Sequence, residues 1–168
     1  MNPMRFTICL CLTTLLACDS GVDSSRASAF AIYRLQDATL TASQVWDQPL
    51  QSLKLADIPF LTLEDLKSYK WPTHEFTVTA TVDSQLAVLR RTLGPVGGIP
   101  FVVTVENERV YLGAFWYPYS SLIPQVPCIN VVLDPHRISR WPGLQSQTDE
   151  RNDPRIYRAL KEAGILIE

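Results

Sequence analysis

Residues 94–121 read GPVGGIPFVVTVENERVYLGAFWYPYSS, the densest apolar and aromatic stretch after the first 17 residues of this 168-residue chain. Residues 101–105 and 110–116 are almost entirely apolar, as expected of strands that are covered on both faces. Between them, Asn107 is the residue best suited to a positive φ in a tight turn. We therefore predict a hairpin at the centre of a sheet, with its turn over residues 106–109.

A strand and a helix are predicted before this hairpin. Apolar and polar residues alternate along residues 75–80, which is typical of a strand with one wet face. Residues 82–93 carry apolar side chains at the spacing of one helical face, and Gly94 and Pro95 are expected to end this helix. If the strands on either side of the helix share a sheet, the helix makes a right-handed crossover between them.

The rest of the chain gives shorter signals. Residues 30–35 are β-prone, and Thr62 followed by Asp65 is typical of the cap of a short helix. Residues 128–133 are predicted to form a further core strand. Residues 134–151 are polar and are expected to be irregular.

The clearest helix begins near the C-terminal end. Asp153 is placed to cap it, Pro154 suits its first position, and Gly164 is suited to end it. We expect this helix to pack on the sheet. Residues 30–168 are thus predicted to form a single small α+β domain with a mixed or antiparallel sheet, a strand-helix-strand-hairpin core and a C-terminal helix.

The N-terminal residues have the features of an export signal. A basic start that ends at Arg5 precedes the uncharged residues 6–16, which are too few to cross a bilayer because a spanning helix needs about 20 residues. Leu15-Leu16-Ala17-Cys18 resembles the lipobox of bacterial lipoproteins. The resemblance implies that residues 1–17 are a lipoprotein signal peptide that is removed, and that Cys18 is acylated and anchors the protein to a membrane.

The residues after Cys18 predict a flexible tether. Residues 18–29 are mostly small and polar without periodicity, which gives a random-coil reach of roughly 15 to 20 Å. The predicted location is therefore extracytoplasmic, on a lipid anchor at a bacterial membrane. Asp19 resembles the inner-membrane retention signal of enterobacterial lipoproteins, which implies the periplasmic face of the inner membrane if that rule applies.

Composition argues against several classes of partner. The formal net charge is −2, and the sequence has no basic cluster of the kind that nucleic acids or anionic lipids require. If the signal peptide leaves and Cys18 is acylated, Cys128 remains as the single thiol. Because apolar residues follow it, we expect a buried and inert thiol.

Candidate catalytic residues are few. Cys128, Asp134 and His136 are the best trio for nucleophilic chemistry, but their spacing fixes no mutual geometry, so structural roles are favoured. A metal site would have to combine His74 and Glu75 with Asp134 and His136, and no pair among these has ligand spacing. The glycines near residue 97 precede a strand, unlike a phosphate loop. No metal and no cofactor are predicted.

Trp116, Tyr117 and Tyr119 are the candidate binding residues. Strand alternation would place Trp116 opposite Phe115 and Tyr117, so we expect that these aromatic side chains are not all inside the protein, and aromatic residues are enriched at interface centres. The favoured interpretation, however, is that helices and loops cover both faces of this strand and that the aromatic residues belong to the core, because large aromatic residues dominate cores equally.

The order of elements in the middle of the chain also resembles a known domain. The segments EFTVTA, VDSQLAVLRRTL, IPFVVTV and ERVYLGAF, within residues 75–115, give strand, helix, strand, turn and strand. This order is similar to that of the extracytoplasmic head subdomain of SecD, a component of the bacterial translocase. That subdomain usually has Asp-Gly where this chain has Asn107-Glu108. The resemblance implies a fold and no activity.

These observations favour a lipid-anchored extracytoplasmic binding or accessory protein over an enzyme. Its expected partner is a protein, a peptide or another component of the cell envelope, in addition to the membrane that holds the anchor. An envelope hydrolase that uses His136 and Asp134 is the alternative. A structural or accessory subunit of a larger membrane assembly is a third possibility.

Overall fold

The computed structural model describes residues 29–92, 94–143 and 148–168. Within these ranges, nine strands form one mixed sheet and three α-helices accompany it, which confirms a small α+β domain. The strands are β1 Ala31–Arg34, β2 Leu61–Thr62, β3 Leu66–Lys70, β4 Glu75–Val78, β5 Ile99–Val105, β6 Glu108–Trp116, β7 Cys128–Asn130, β8 His136–Ser139 and β9 Leu166–Ile167. The helices are α1 Ala42–Val45, α2 Ala80–Arg91 and α3 Pro154–Glu162.

The sheet has the strand order β2-β1-β5-β6-β7-β8-β4-β3-β9. Two neighbouring pairs, β6 with β7 and β3 with β9, are parallel, and the others are antiparallel. The predicted hairpin is confirmed as β5 and β6, inside the sheet. Its turn is shorter than expected, because Val105 already pairs with Glu108 and leaves two turn residues. Glu106 and Asn107 have φ of 51° and 66°, the paired positive values of a type I′ turn.

Two hydrophobic cores cover opposite faces of this hairpin. The first core includes Ile32, Leu61, Phe76, Leu86, Phe101, Val103, Phe115, Tyr117, Ile129, Ile138, Ile156 and Leu160. The second core consists of Leu35, Ala42, Val45, Leu53, Val102, Leu112, Ala114, Trp116, Val126 and Cys128. Helices α2 and α3 contribute to the first core, whereas α1 contributes to the second. Burial on both faces explains why the hairpin is continuously apolar.

The predicted right-handed crossover is wrong. The strands that flank α2 are β4 and β5, and they do belong to one sheet. However, β6, β7 and β8 lie between them, and the chain of pairings makes β4 antiparallel to β5. Long-range pairing of β8 with β4 sets this order, and no local sequence signal reports it.

The segment after β6 also differs from expectation. The strand predicted over residues 128–133 ends at Asn130, and Val132 and Leu133 are exposed. The segment expected to be irregular contains β8, which pairs with both β7 and β4. Only four residues long, β8 alternates the buried His136 and Ile138 with more exposed neighbours, which is too short a pattern to stand out.

The helix signals are confirmed with small shifts. Helix α2 begins and ends two residues earlier than predicted, at Ala80 and Arg91. In α3, the Asp153 side chain accepts a hydrogen bond from the backbone of Arg155, and Gly164 follows the helix with φ of 71°. The cap at Thr62 starts a single 3₁₀ turn, Leu63–Asp65. Among the described residues, no helix has the length and apolar character needed to cross a membrane.

Candidate functional site

The predicted lipid anchor at Cys18 and nearly all of the tether lie outside the described residues. The first described residue, Ala29, lines a small cleft with Val105, Glu106 and Ala159. The chain then enters β1, where Ala31 pairs with Thr104. The N-terminal segment therefore joins the domain beside the β5–β6 turn, at an end of the sheet that we call the turn pole.

The aromatic run at the other end of β6 is mostly buried. Phe115 and Tyr117 lie in the first core, and Trp116 lies in the second. The argument that these three side chains cannot all be inside is wrong, and the favoured core interpretation is confirmed for them, because each face of the strand has its own core. Tyr119 remains exposed.

Hydrogen bonds from this run fix the loop that precedes β5. The Tyr117 hydroxyl donates to the Leu89 carbonyl at 3.1 Å, and the Tyr119 hydroxyl donates to the Gly94 carbonyl at 3.0 Å. The Ser120 hydroxyl donates to the Val96 carbonyl at 2.6 Å. Tyr117 and Tyr119 thus have observed structural contacts, while a binding role for either remains a prediction.

An exposed apolar surface lies beside the buried end of this run. Trp46, Leu122 and Ile123 are 50%, 46% and 55% exposed. With Trp116 and Val126 they line a groove of about 410 Å³. We call this surface, formed by Trp46, Leu122, Ile123 and the groove that they line, the Trp46 surface.

A second groove of about 370 Å³ continues from the Trp46 surface. It shares Trp46, Gln125 and Val126 with the first groove and extends to Tyr111 and Leu112 of β6. Sequence analysis missed Trp46, Leu122 and Ile123. A usable signal was present, since Leu122 and Ile123 are adjacent apolar residues in a loop interrupted by prolines.

The Trp46 surface and the turn pole are at different ends of β6. Leu122 and Ile123 lie beside Trp116, the last residue of β6, whereas Ala29 lies beside the turn that precedes Glu108, the first. At the usual rise of a β-strand, the nine residues of β6 span about 27 Å. The point where the N-terminal segment joins the domain and the exposed apolar loop are therefore separated by about the length of strand β6.

The structure does not assemble the candidate catalytic trio. Cys128 lies in the second core, whereas the His136 ring contacts Phe76 of the first core, 5.6 Å between centroids. The sulfur and the imidazole are thus on opposite faces of the sheet. His136 Nε2 lies 3.4 Å from Asp83 Oδ1 of α2, and Asp134 is exposed. Asp83, not Asp134, is thus the carboxylate beside this imidazole.

His74 occupies a separate buried site. It has a positive φ of 53°, and its Nδ1 lies 3.0 Å from the Tyr69 hydroxyl. Burial lowers the pKa of His74 to about 4. A neutral imidazole bonded to a phenol inside the core is a structural arrangement, since burial outweighs the charge of Asp149, which acts to raise the pKa of His74.

The Cys128 thiol is free and buried, as predicted. Burial raises its pKa to about 11, so the reactive thiolate is scarce at neutral pH. Across residues 29–92, 94–143 and 148–168, no group of three or more His, Cys, Asp or Glu side chains is arranged to hold a metal ion.

Comparison with known proteins gives no match to a protein-family model, to a curated protein or to a solved structure. The resemblances to lipoproteins and to the SecD head therefore remain predictions from the sequence.

Proposed function

We propose that this protein is a lipid-anchored extracytoplasmic binding protein that holds an envelope protein on its Trp46 surface. The observation that carries the proposal is the exposure of Trp46, Leu122 and Ile123 around one groove. Large apolar side chains grouped on a surface are typical of interaction sites, and tryptophan is among the residues that contribute most to binding energy.

The position of this surface supports the proposal. A lipid on Cys18 would hold the turn pole nearest the membrane, because Ala29 lies beside the β5–β6 turn. The Trp46 surface would then point away from the lipid bilayer and towards the envelope space. An apolar surface in this position suits a protein partner better than insertion into the same membrane.

The anchor has a direct test. Metabolic labelling with an alkyne-modified palmitate should mark the wild-type protein, and Cys18→Ser should abolish the label. Cys128→Ser is the matched control, because it removes a cysteine without touching the lipobox, and its labelling should equal that of the wild type. Unchanged labelling of Cys18→Ser would contradict the lipoprotein assignment.

The binding surface is tested separately in cells with Cys18 intact. A photo-crosslinking amino acid is placed at Leu122 or Ile123, and at the exposed Lys67 of β3 as a control. We expect one discrete protein adduct from the first two positions and none from Lys67. The same adducts from all three positions, or adducts from none, would contradict a specific partner at the Trp46 surface.

A further inference from the structure

A third cavity lies on another part of the molecule, between α2 and the segment that leads into β2. Its volume is about 520 Å³, and most of its wall is apolar, contributed by Leu35, Phe60 and Leu89 among others. Ile58 and Val88 also line it and are 79% and 61% exposed. This size and this lining are those of pockets that hold small ligands.

Arg34 is the one basic residue among those that line this cavity. Its side chain is half-buried, and it makes no hydrogen bond or ion pair with any residue that the structure describes. Its positive charge acts on the phenol of Tyr117 and opposes the rise in the pKa of that group that burial causes. The guanidinium carries five donors and no acceptor, so its donors are open to an acceptor that a ligand in the cavity would supply.

The other half-buried arginines of the described residues differ from Arg34, since each has a hydrogen-bond acceptor or an ion-pair partner. Arg109 donates to the Leu50 carbonyl at 2.6 Å, and Arg140 lies 3.8 Å from a Glu150 carboxylate oxygen. Arg151 and Arg155 bond to Asp149 and Asp153. Arg34 is the exception, and it is also the one that lines the largest of these cavities.

The neighbouring acidic residues do not neutralise Arg34. Asp37 is close in sequence, but its Oδ1 accepts hydrogen bonds from the backbone nitrogen and the hydroxyl of Thr39, at 2.9 and 2.6 Å. Neither Asp37 nor Asp57 lines the cavity, and the other polar side chain in its wall is the neutral amide of Gln85. The charge of the cavity wall is therefore positive, next to an apolar surface.

The geometry points to a binding site for a single-chain carboxylate, with the head group on Arg34 and the apolar chain along Leu35, Phe60 and Leu89. The planar guanidinium matches a carboxylate with two parallel hydrogen bonds. Burial of each methylene of the chain contributes roughly 0.8 kcal/mol, which provides the affinity that an exposed ion pair alone does not. This inference does not rest on the partner proposed for the Trp46 surface.

The test is calorimetric titration of the full-length Cys18→Ser chain with decanoate below its micellar concentration. We expect one site per chain. Decanol, which lacks the charge, should bind at least about tenfold more weakly, as expected for loss of a charge-assisted pair. Butyrate, whose chain is shorter by about six methylenes, should bind about a thousandfold more weakly or not measurably, because each buried methylene contributes to the affinity. Absence of decanoate binding, or equal binding of decanol, would overturn the site.

Variants locate the site. Arg34→Met should weaken decanoate binding by about tenfold or more, because it keeps the apolar stem and removes the charge-assisted bonds. Val88→Asp places a negative charge at the exposed mouth and should have the same effect without disturbing the core. Arg91→Met, on the exposed end of α2, is the charge-matched control and should bind as the wild type does. Wild-type affinity in Arg34→Met would contradict the proposal, and unchanged melting temperatures confirm that each variant is folded.

Discussion

Trp116 and Trp46 line the same groove and yet differ in what holds them. Trp116 is the last residue of a strand with a core on each face, and it is buried in the second core. Trp46 follows the short helix α1 and is half exposed. An aromatic side chain is therefore exposed only where no neighbouring segment covers it, and a dense run of aromatic residues in the sequence indicates the core before it indicates a binding surface.

The largest expected effect is on the free energy of unfolding, and it distinguishes Trp116 from Trp46. Trp116→Ala should lower the free energy of unfolding by about 3 to 5 kcal/mol, as is usual when a buried aromatic side chain is truncated. Urea unfolding measures it. A loss under about 1 kcal/mol, the size expected of an exposed position, would show that Trp116 contributes little to the second core.

Gly98→Ala tests how tightly the Trp116 ring is packed. Gly98 has φ of 73°, and a Cβ there would lie 2.6 Å from the Trp116 ring. We expect the free energy of unfolding to fall by about 2 to 5 kcal/mol, the sum of the cost of placing an alanine in the left-handed region and the cost of the overpacked contact.

The matched control for this substitution is Gly164→Ala. Its φ is 71°, but a Cβ would meet no atom within 4 Å. It should lose about 1 to 2 kcal/mol, from the backbone alone. Equal losses in the two variants would mean that the contact with Trp116 costs nothing.

The buried side chain of His74 should make the free energy of unfolding depend on pH. Because burial lowers the pKa of His74 to about 4 from its usual value of 6.5, the unfolded chain binds its proton first as the pH falls. The contribution of His74 is complete above about pH 6.5 and is lost towards pH 4, a loss of no more than about 3 kcal/mol.

The measurement is the unfolding free energy at pH 7 and pH 4, for the wild type and for His74→Asn. Asparagine does not titrate and tolerates the positive φ. The variant should lose less stability than the wild type over this interval. Identical losses would show that His74 is not the titrating group.

The smallest effect on stability is expected at the exposed tryptophan. Trp46→Ala should change the unfolding free energy by about 1 kcal/mol or less, since half of its side chain already contacts solvent. The yield of the adduct formed from the crosslinker at Leu122 should nevertheless fall strongly, because Trp46 belongs to the proposed binding surface. A large loss of unfolding free energy in Trp46→Ala, with an unchanged adduct yield, would show that Trp46 is a core residue and not part of a binding surface.

Sequence reasoning succeeded where the signal is local. Asn107 in the hairpin turn, and Asp153, Pro154 and Gly164 around α3, each act through their own backbone or through neighbours a few residues away. It failed for β8, because four residues gain their strand pairing from partners at distant positions of the sequence. The false crossover has the same origin, since strand order is a property of long-range pairing.

The candidate site was less predictable than the fold. Trp116 and Tyr117 were chosen for their aromatic character, although the two cores bury both. Trp46, Leu122 and Ile123 are exposed because no described segment covers them. The adjacent apolar pair Leu122-Ile123 in a proline-interrupted loop is a signal in the sequence, but the same pattern fits a covered loop, so the signal alone does not separate the two. Arg34 was missed for a similar reason, since the lack of an acceptor is visible only in three dimensions.

The separation of the N-terminal entry from the Trp46 surface has a consequence for how a partner would be met. If residues 18–29 form the predicted tether, with a reach of roughly 15 to 20 Å, and β6 spans about 27 Å, a lipid-held domain would carry this surface up to about 42 to 47 Å above the bilayer. The Trp46 surface could then reach any point within about this distance of the anchor, on one side of the membrane. A partner fixed in the same membrane within that radius would face a high effective concentration, so that even a weak contact would be occupied for much of the time.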